Sequence, residues 1–286
     1  YADSLMRSID PRSILAPKQR ARYALLYTAT EYKNDQIFTS DSLIMEAVRY
    51  YSIRNNIDYR FLSYYYLGCV YKEFNQYTDA SIAYSQAELL VDKIDNYYWK
   101  GLLYAHLGLI YSNTCIYGRA IECFRKSYQF YDSAEKYFHK YNSLYKIAEC
   151  DVNLLNYHEA DSLAQLVQDW AYENNYYSLY KDAIRTRFNA FFYLEDINGI
   201  NYIYNNYIFP NNNADNYQCD TLLLALYSIK TKDFPKAEYY LSRVRSTLVS
   251  HESDCVYYYF YNYLLAKEKG DTEETLNYLL LYTAQE

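Results

Sequence analysis

The chain has 286 residues, 51% of them hydrophobic when tyrosine is counted, yet its mean hydropathy is −0.43. The gap comes from 43 tyrosines, apolar rings with a polar tip, while 6 glycines and 4 prolines are too few to punctuate a β-sandwich. A formal charge of −7 excludes nucleic acid as a partner for this segment, because duplex binding draws its affinity from a basic excess facing phosphate.

In chain order, residues 2–9 read as the second helix of an incomplete preceding unit, since Asp3-Ser4-Leu5 echoes Asp41-Ser42-Leu43 and Asp161-Ser162-Leu163. A link through Pro17 follows, so residues 1–20 form a remnant and a connection. The basic cluster there, Arg12, Lys18, Arg20 and Arg22, reads as a solvated helix start. Tyr1 is not an initiator Met, which leaves room for an upstream signal or anchor.

From residue 21 a period of 40 takes over. Tyr64–Ala87 and Tyr104–Ser127 align so that Gly68 matches Gly108, Tyr71 matches Tyr111, Ala80 matches Ala120 and Tyr84 matches Phe124. Extending the period places Thr28, Ala148 and Phe188 at the glycine position, and Ser40, Ala160 and Ile200 at the small position of a second helix. Ala225 then lies 37 after Phe188, and Tyr263 lies 38 after Ala225. Seven helical hairpins fit this frame, five over residues 21–209 and two divergent ones over 210–286. The polar stretch Phe209–Asn216, with Pro210, coincides with the register slip and reads as a seam or an ordinary loop. Within one hairpin, Tyr64, Leu67, Gly68 and Tyr71 make an apolar helical stripe. Gly68 lets two backbones approach while Tyr84 fills the space beside it, and stacked neighbours complete the core.

The pattern L-G-x-x-Y…Y-x-x-A-x-x-x-[YF]-x-x-A, carried by Leu67 to Ala87 and Leu107 to Ser127 with a serine closing the second, resembles the tetratricopeptide (TPR) signature. That resemblance implies an all-α, right-handed superhelix of hairpins, with a concave face lined by first helices. It implies groove positions at Tyr65, Cys69, Lys72 and Glu73 in repeat two, and at Leu102, Ala105, Leu109, Ser112 and Asn113 in repeat three. Repeat four supplies Asn142, Tyr145, Glu149 and Asn153, and repeat five Arg185, Asn189 and Tyr193. A trough of Tyr and Asn suits an extended or helical peptide. The family's usual helix-ending proline is missing from every repeat. The N-terminal string ADSLMRSID…KQRARYALLYTATEYKN…SDSLI also resembles the TPR half of transcriptional regulators from Bacteroidetes-type bacteria. It implies a sensing or scaffolding module in the cell envelope, anchored through segments beyond this chain.

Chemistry is sparse. The glycines form no G-x-G-x-x-G or P-loop, and none of His106, His139, His158 and His251 sits in H-E-x-x-H. Six cysteines lack C-x-x-C spacing, which predicts no metal and favours free thiols, although an even count also permits disulfides. No apolar run reaches the ~18 residues of a membrane span, and the densest, Val256–Ala266, is mostly Tyr and broken by Asn262. Asp151 and Arg187 interrupt the apolar stripes of repeats four and five, and their 36-residue separation predicts an inter-repeat ion pair. The sequence therefore favours a protein- or peptide-binding scaffold with no catalytic, cofactor or metal site. A tyrosine-lined carbohydrate-binding solenoid and an enzyme with an unreadable site remain as alternatives.

Overall fold

A computed structural model describes residues 16–208, 221–245 and 252–284, together with 6, 8–10 and 14. Most of the expected 2–9 helix, Arg12, the Phe209–Asn216 seam with its register slip, Cys219 and His251 lie outside the described residues, as does the side chain of Cys255. Among the described residues there are fourteen α-helices and no strand, arranged as seven successive hairpins.

The chain divides into two compact units, Tyr1–Glu173 and Asn174–Glu286. The first holds α1 (Pro17–Lys33), α2 (Ser42–Tyr51), α3 (Ile57–Glu73), α4 (Tyr77–Glu88), α5 (Tyr97–Asn113), α6 (Tyr117–Ser133), α7 (Tyr137–Asn153) and α8 (Tyr157–Glu173). The second holds α9 (Tyr177–Tyr193), α10 (Ile197–Ile203), α11 (Thr221–Lys230), α12 (Phe234–Arg245), α13 (Glu252–Lys269) and α14 (Thr272–Thr283). Odd-numbered helices are the first helices of their hairpins.

From α5 to α9 every helix has 17 residues and every link has three, so the backbone repeats every 20 residues. Tyr77, Tyr97, Tyr117, Tyr137, Tyr157 and Tyr177 each open a helix. With no proline to stop them, the helices end on a residue in the left-handed region. Asp35, Asn75, Cys115, Leu155 and Glu195 have φ between 50° and 64° and fall 40 apart. Lys232 and Gly270 continue the row at intervals of 37 and 38, repeating the slip read from the side chains. After α5, Cys115 N–H donates to Ser112 O (3.0 Å) and Ile116 N–H to Tyr111 O (2.8 Å), so otherwise orphaned carbonyls are satisfied without glycine.

The core follows the small-against-large rule. A Cβ placed on Gly68 would lie 2.5 Å from Tyr84 Cδ1, and one on Gly108 would lie 2.6 Å from Phe124 Cε1. Both rings are fully buried, as are Ala80 and Ala120. Hairpin three uses the same device a second time, with Gly101 against the Tyr131 ring. There Ser127 Oγ donates to Gly101 O (2.9 Å) and lies 3.0 Å from Ser143 Oγ. In the second unit, Phe188, Ile200, Leu224, Ala225, Ala237 and Leu265 make one buried cluster.

Candidate functional site

The groove residues expected on α3 divide between core and surface. Tyr65 and Cys69 have relative exposures of 2% and 0%, so neither presents a side chain to a groove. The reason is that α3 packs on several neighbours at once, burying Phe61, Ser63 and every residue from Tyr65 to Val70. The Tyr65 ring stacks on His106 of α5 at 5.3 Å and meets Trp99 edge-on at 5.4 Å. Lys72 is half-buried, pairs with exposed Glu73 at 2.9 Å, and holds its ammonium 5.7 Å from the Tyr32 ring centroid.

On α5, Leu102, Ala105, Leu109 and Ser112 are half-buried and Asn113 is exposed. On α7, Tyr145 is also buried, against expectation, with 8% exposure. Its hydroxyl donates to Glu149 Oε1 (2.8 Å), and Lys146 Nζ holds Oε2 at 2.6 Å. Exposed Asn153 donates its amide to Glu149 O (2.8 Å), while Asn142 is half-buried. Ser112 Oγ lies 3.9 Å from Cys150 Sγ, which brings the C-terminal halves of α5 and α7 together. In the second unit, Arg185 and Tyr193 are exposed and Asn189 is half-buried along α9. Asp151 is buried in the first unit, where Asn156 donates to its Oδ1 (3.1 Å) and burial pushes its carboxyl up. Among the described residues its other oxygen, Oδ2, meets no hydrogen-bond partner, and Arg187, expected to pair with it, is buried in the second unit.

A buried polar cluster was not legible in the sequence. Tyr84 Oη lies 2.9 Å from His106 Nδ1 and 3.5 Å from Cys69 Sγ, and the thiol lies 3.6 Å from the same nitrogen. Three helices, α3, α4 and α5, meet there through one hydroxyl, one thiol and one imidazole. A cysteine–histidine pair at this distance invites a nucleophilic reading, but burial pushes the thiol up to about 11 and the imidazole down to about 3. Both groups are neutral at pH 7 and fully enclosed, whereas the reactive form is an accessible thiolate. The cluster is therefore a packing element. No motif announces it, since His106 lies between Ala105 and Leu107, two residues before Gly108.

Cys69, Cys115, Cys123 and Cys150 are free thiols. Among the described residues no three His, Cys, Asp or Glu side chains gather as a metal site, and no helix is long and apolar enough to cross a membrane.

No family model matches the chain, and no curated protein matches it. Solved structures do. The apo form of RapI superposes with a TM-score of 0.79 at 12% identity, over 99% of this chain and 79% of that one. A tetratricopeptide repeat protein from Parabacteroides merdae gives 0.67 at 12% identity, over 93% of each chain. NprR in complex with its cognate peptide NprX gives 0.65 at 17% identity, over 94% of this chain and 79% of that one. At such identities the likeness is one of fold, and it resembles TPR-type proteins.

Proposed function

We propose that this chain is a peptide-binding TPR-type scaffold, the sensing or interaction module of a larger bacterial regulatory protein, with no catalysis of its own. The observation that carries this reading is the open row of polar side chains on successive first helices. Asn113 and Asn153 stand exposed one repeat apart, with Glu149 held between a tyrosine hydroxyl and a lysine. A primary amide both donates and accepts, so it can pair with the main chain of a peptide whatever its side chains. NprR, which shares the fold, was crystallised with its cognate peptide, and that supports the same class of ligand here. The regulatory setting draws support from the N-terminal resemblance to Bacteroidetes-type regulators.

A ligand that binds only the folded chain raises its unfolding temperature by mass action. The test is thermal unfolding against pooled synthetic peptides and, separately, pooled oligosaccharides. A shift with peptide pools is expected; a shift with oligosaccharides alone would replace this reading with the carbohydrate one.

A further inference from the structure

We infer that the junction of α1, α2 and α3 is an oxyanion site, where Arg22, Arg54 and Arg60 receive the doubly charged phosphate group of a ligand. The site lies apart from the expected groove positions and does not depend on the peptide reading.

The three guanidiniums come from three elements: Arg22 from α1, Arg54 from the link between α2 and α3, and Arg60 from α3. Arg54 lies with Cζ 3.6 Å from the Tyr50 ring centroid and donates through Nη1 to Tyr50 O (2.7 Å). Arg60 donates through Nη1 to Ser52 O (3.3 Å). Between those two carbonyls Tyr51 is buried and stacked on Tyr59 at 5.1 Å. Burial pushes the Tyr51 hydroxyl up, and the charges of Arg22 and Arg54 both pull it back down. All three cations thus gather around residues 50–52.

Their hydrogen-bonding capacity is mostly unused. A guanidinium carries five N–H donors. Capping the end of α2 occupies one donor each of Arg54 and Arg60, and none of Arg22. Arg60 Nε is buried and has no acceptor. Among the described residues no carboxylate pairs with any of the three, although the chain has a formal charge of −7 and neighbouring Arg20 holds Glu46 at 3.1 Å.

The repeat does not demand this arrangement. One period of 40 later, Leu62 stands in place of Arg22, Ile94 in place of Arg54 and Lys100 in place of Arg60. Lys140, a further period on, is neutralised by Asp132 at 2.7 Å. Like charges held together without a counter-charge repel, so three cations that packing does not require point to an anion that joins them. A carboxylate brings two oxygens and one charge. A phosphate monoester brings three oxygens and nearly two charges, which matches three guanidinium forks on separate elements.

The experiment is isothermal titration of the 286-residue chain with inorganic phosphate, with N-acetyl-O-phosphoserine amide and with acetate, at neutral pH and one ionic strength. Both phosphates should bind, and the tighter of the two assigns the source as a free ion or a phosphorylated side chain. Acetate should bind at least tenfold more weakly. Arg22→Gln removes an exposed side chain with no hydrogen bond among the described residues, and should weaken phosphate binding tenfold or more. Arg119→Gln, also exposed but paired with Glu122 at 3.3 Å, should stay within twofold. Without phosphate, Arg22→Gln should unfold on heating no earlier than the wild type, because it relieves repulsion. Phosphate binding that survives Arg22→Gln, or binding of neither phosphate, overturns the site. Acetate binding as tight as phosphate overturns the phosphate assignment. None of these outcomes bears on the peptide reading.

Discussion

Replacing Gly68 with alanine tests the packing rule on which the array is built. The new Cβ would lie 2.5 Å from Tyr84 Cδ1 and Cε1 and 2.8 Å from Cζ, roughly 1 Å inside ordinary carbon–carbon contact. The Tyr84 ring has little room to retreat, because it is fully buried and its hydroxyl lies 2.9 Å from His106 Nδ1. Overpacking of this kind costs ~1–3 kcal/mol, and pulling the hydroxyl from its partner adds ~0.5–1.5 kcal/mol. Alanine's better helix propensity returns at most about 1 kcal/mol. The expected net loss is about 2 kcal/mol. Urea unfolding followed by tryptophan fluorescence in a Trp170→Phe background reads it locally, since Trp99 packs 5.4 Å from Tyr65 in the same cluster. Gly118→Ala, where a Cβ meets nothing within 4 Å, should be neutral or slightly stabilising. Shrinking the ring should relieve the clash, so Gly68→Ala/Tyr84→Leu should be less damaged than the two single changes added together. A Gly68→Ala variant as stable as Gly118→Ala, or a strictly additive double variant, would refute the small-against-large account.

Other expectations follow from the same geometry. His106 is held at about 3 in the folded chain against 6.5 when free. Its contribution is therefore complete above pH 6.5 and is lost as pH falls toward 3, by at most about 1.4 kcal/mol per unit. Stability of the wild type should accordingly fall more steeply between pH 6.5 and 4 than that of His106→Gln, and parallel curves would contradict the burial of a neutral imidazole. Leu155 ends α7 at φ +64°, so Leu155→Gly should stabilise by roughly 0.5–1 kcal/mol in thermal unfolding. Ser127→Ala removes the buried hydroxyl between Gly101 O and Ser143 Oγ and should cost about 1 kcal/mol by the same measurement.

The part of the fold that was legible in the sequence is the part written in side-chain volume. Gly68 with Tyr84, and Gly108 with Phe124, recur at 40 because one whole hairpin must pass before the same face returns to the same neighbour. The finer 20-residue module is a backbone property, and its markers share no chemistry. Asn75, Cys115, Glu135, Leu155, Asn175 and Glu195 all adopt the left-handed conformation that would ordinarily call for glycine. No residue type announces those turns, and only the tyrosines that open each helix, from Tyr77 to Tyr177, carried the shorter period in plain view.

The candidate groove was legible in position but not in exposure, and tyrosine is the cause. A helix with one apolar face tells a reader which side chains look outward; α3 has apolar or small side chains almost all round and is buried almost all round. Tyr65 and Tyr145 each stand at a position where a ring could face a ligand or turn into the core, and the residue type permits either. What decided between them is the neighbour. Beside Tyr65 stand His106 and Trp99, two further flat rings, so the rings close on one another. Asn113 and Asn153 stay at the surface, Asn153 with its amide turned onto Glu149 O (2.8 Å). With the Tyr65 and Tyr145 rings turned inward, the exposed polar surface at the expected groove positions of α5 and α7 is left to the amides of Asn113 and Asn153.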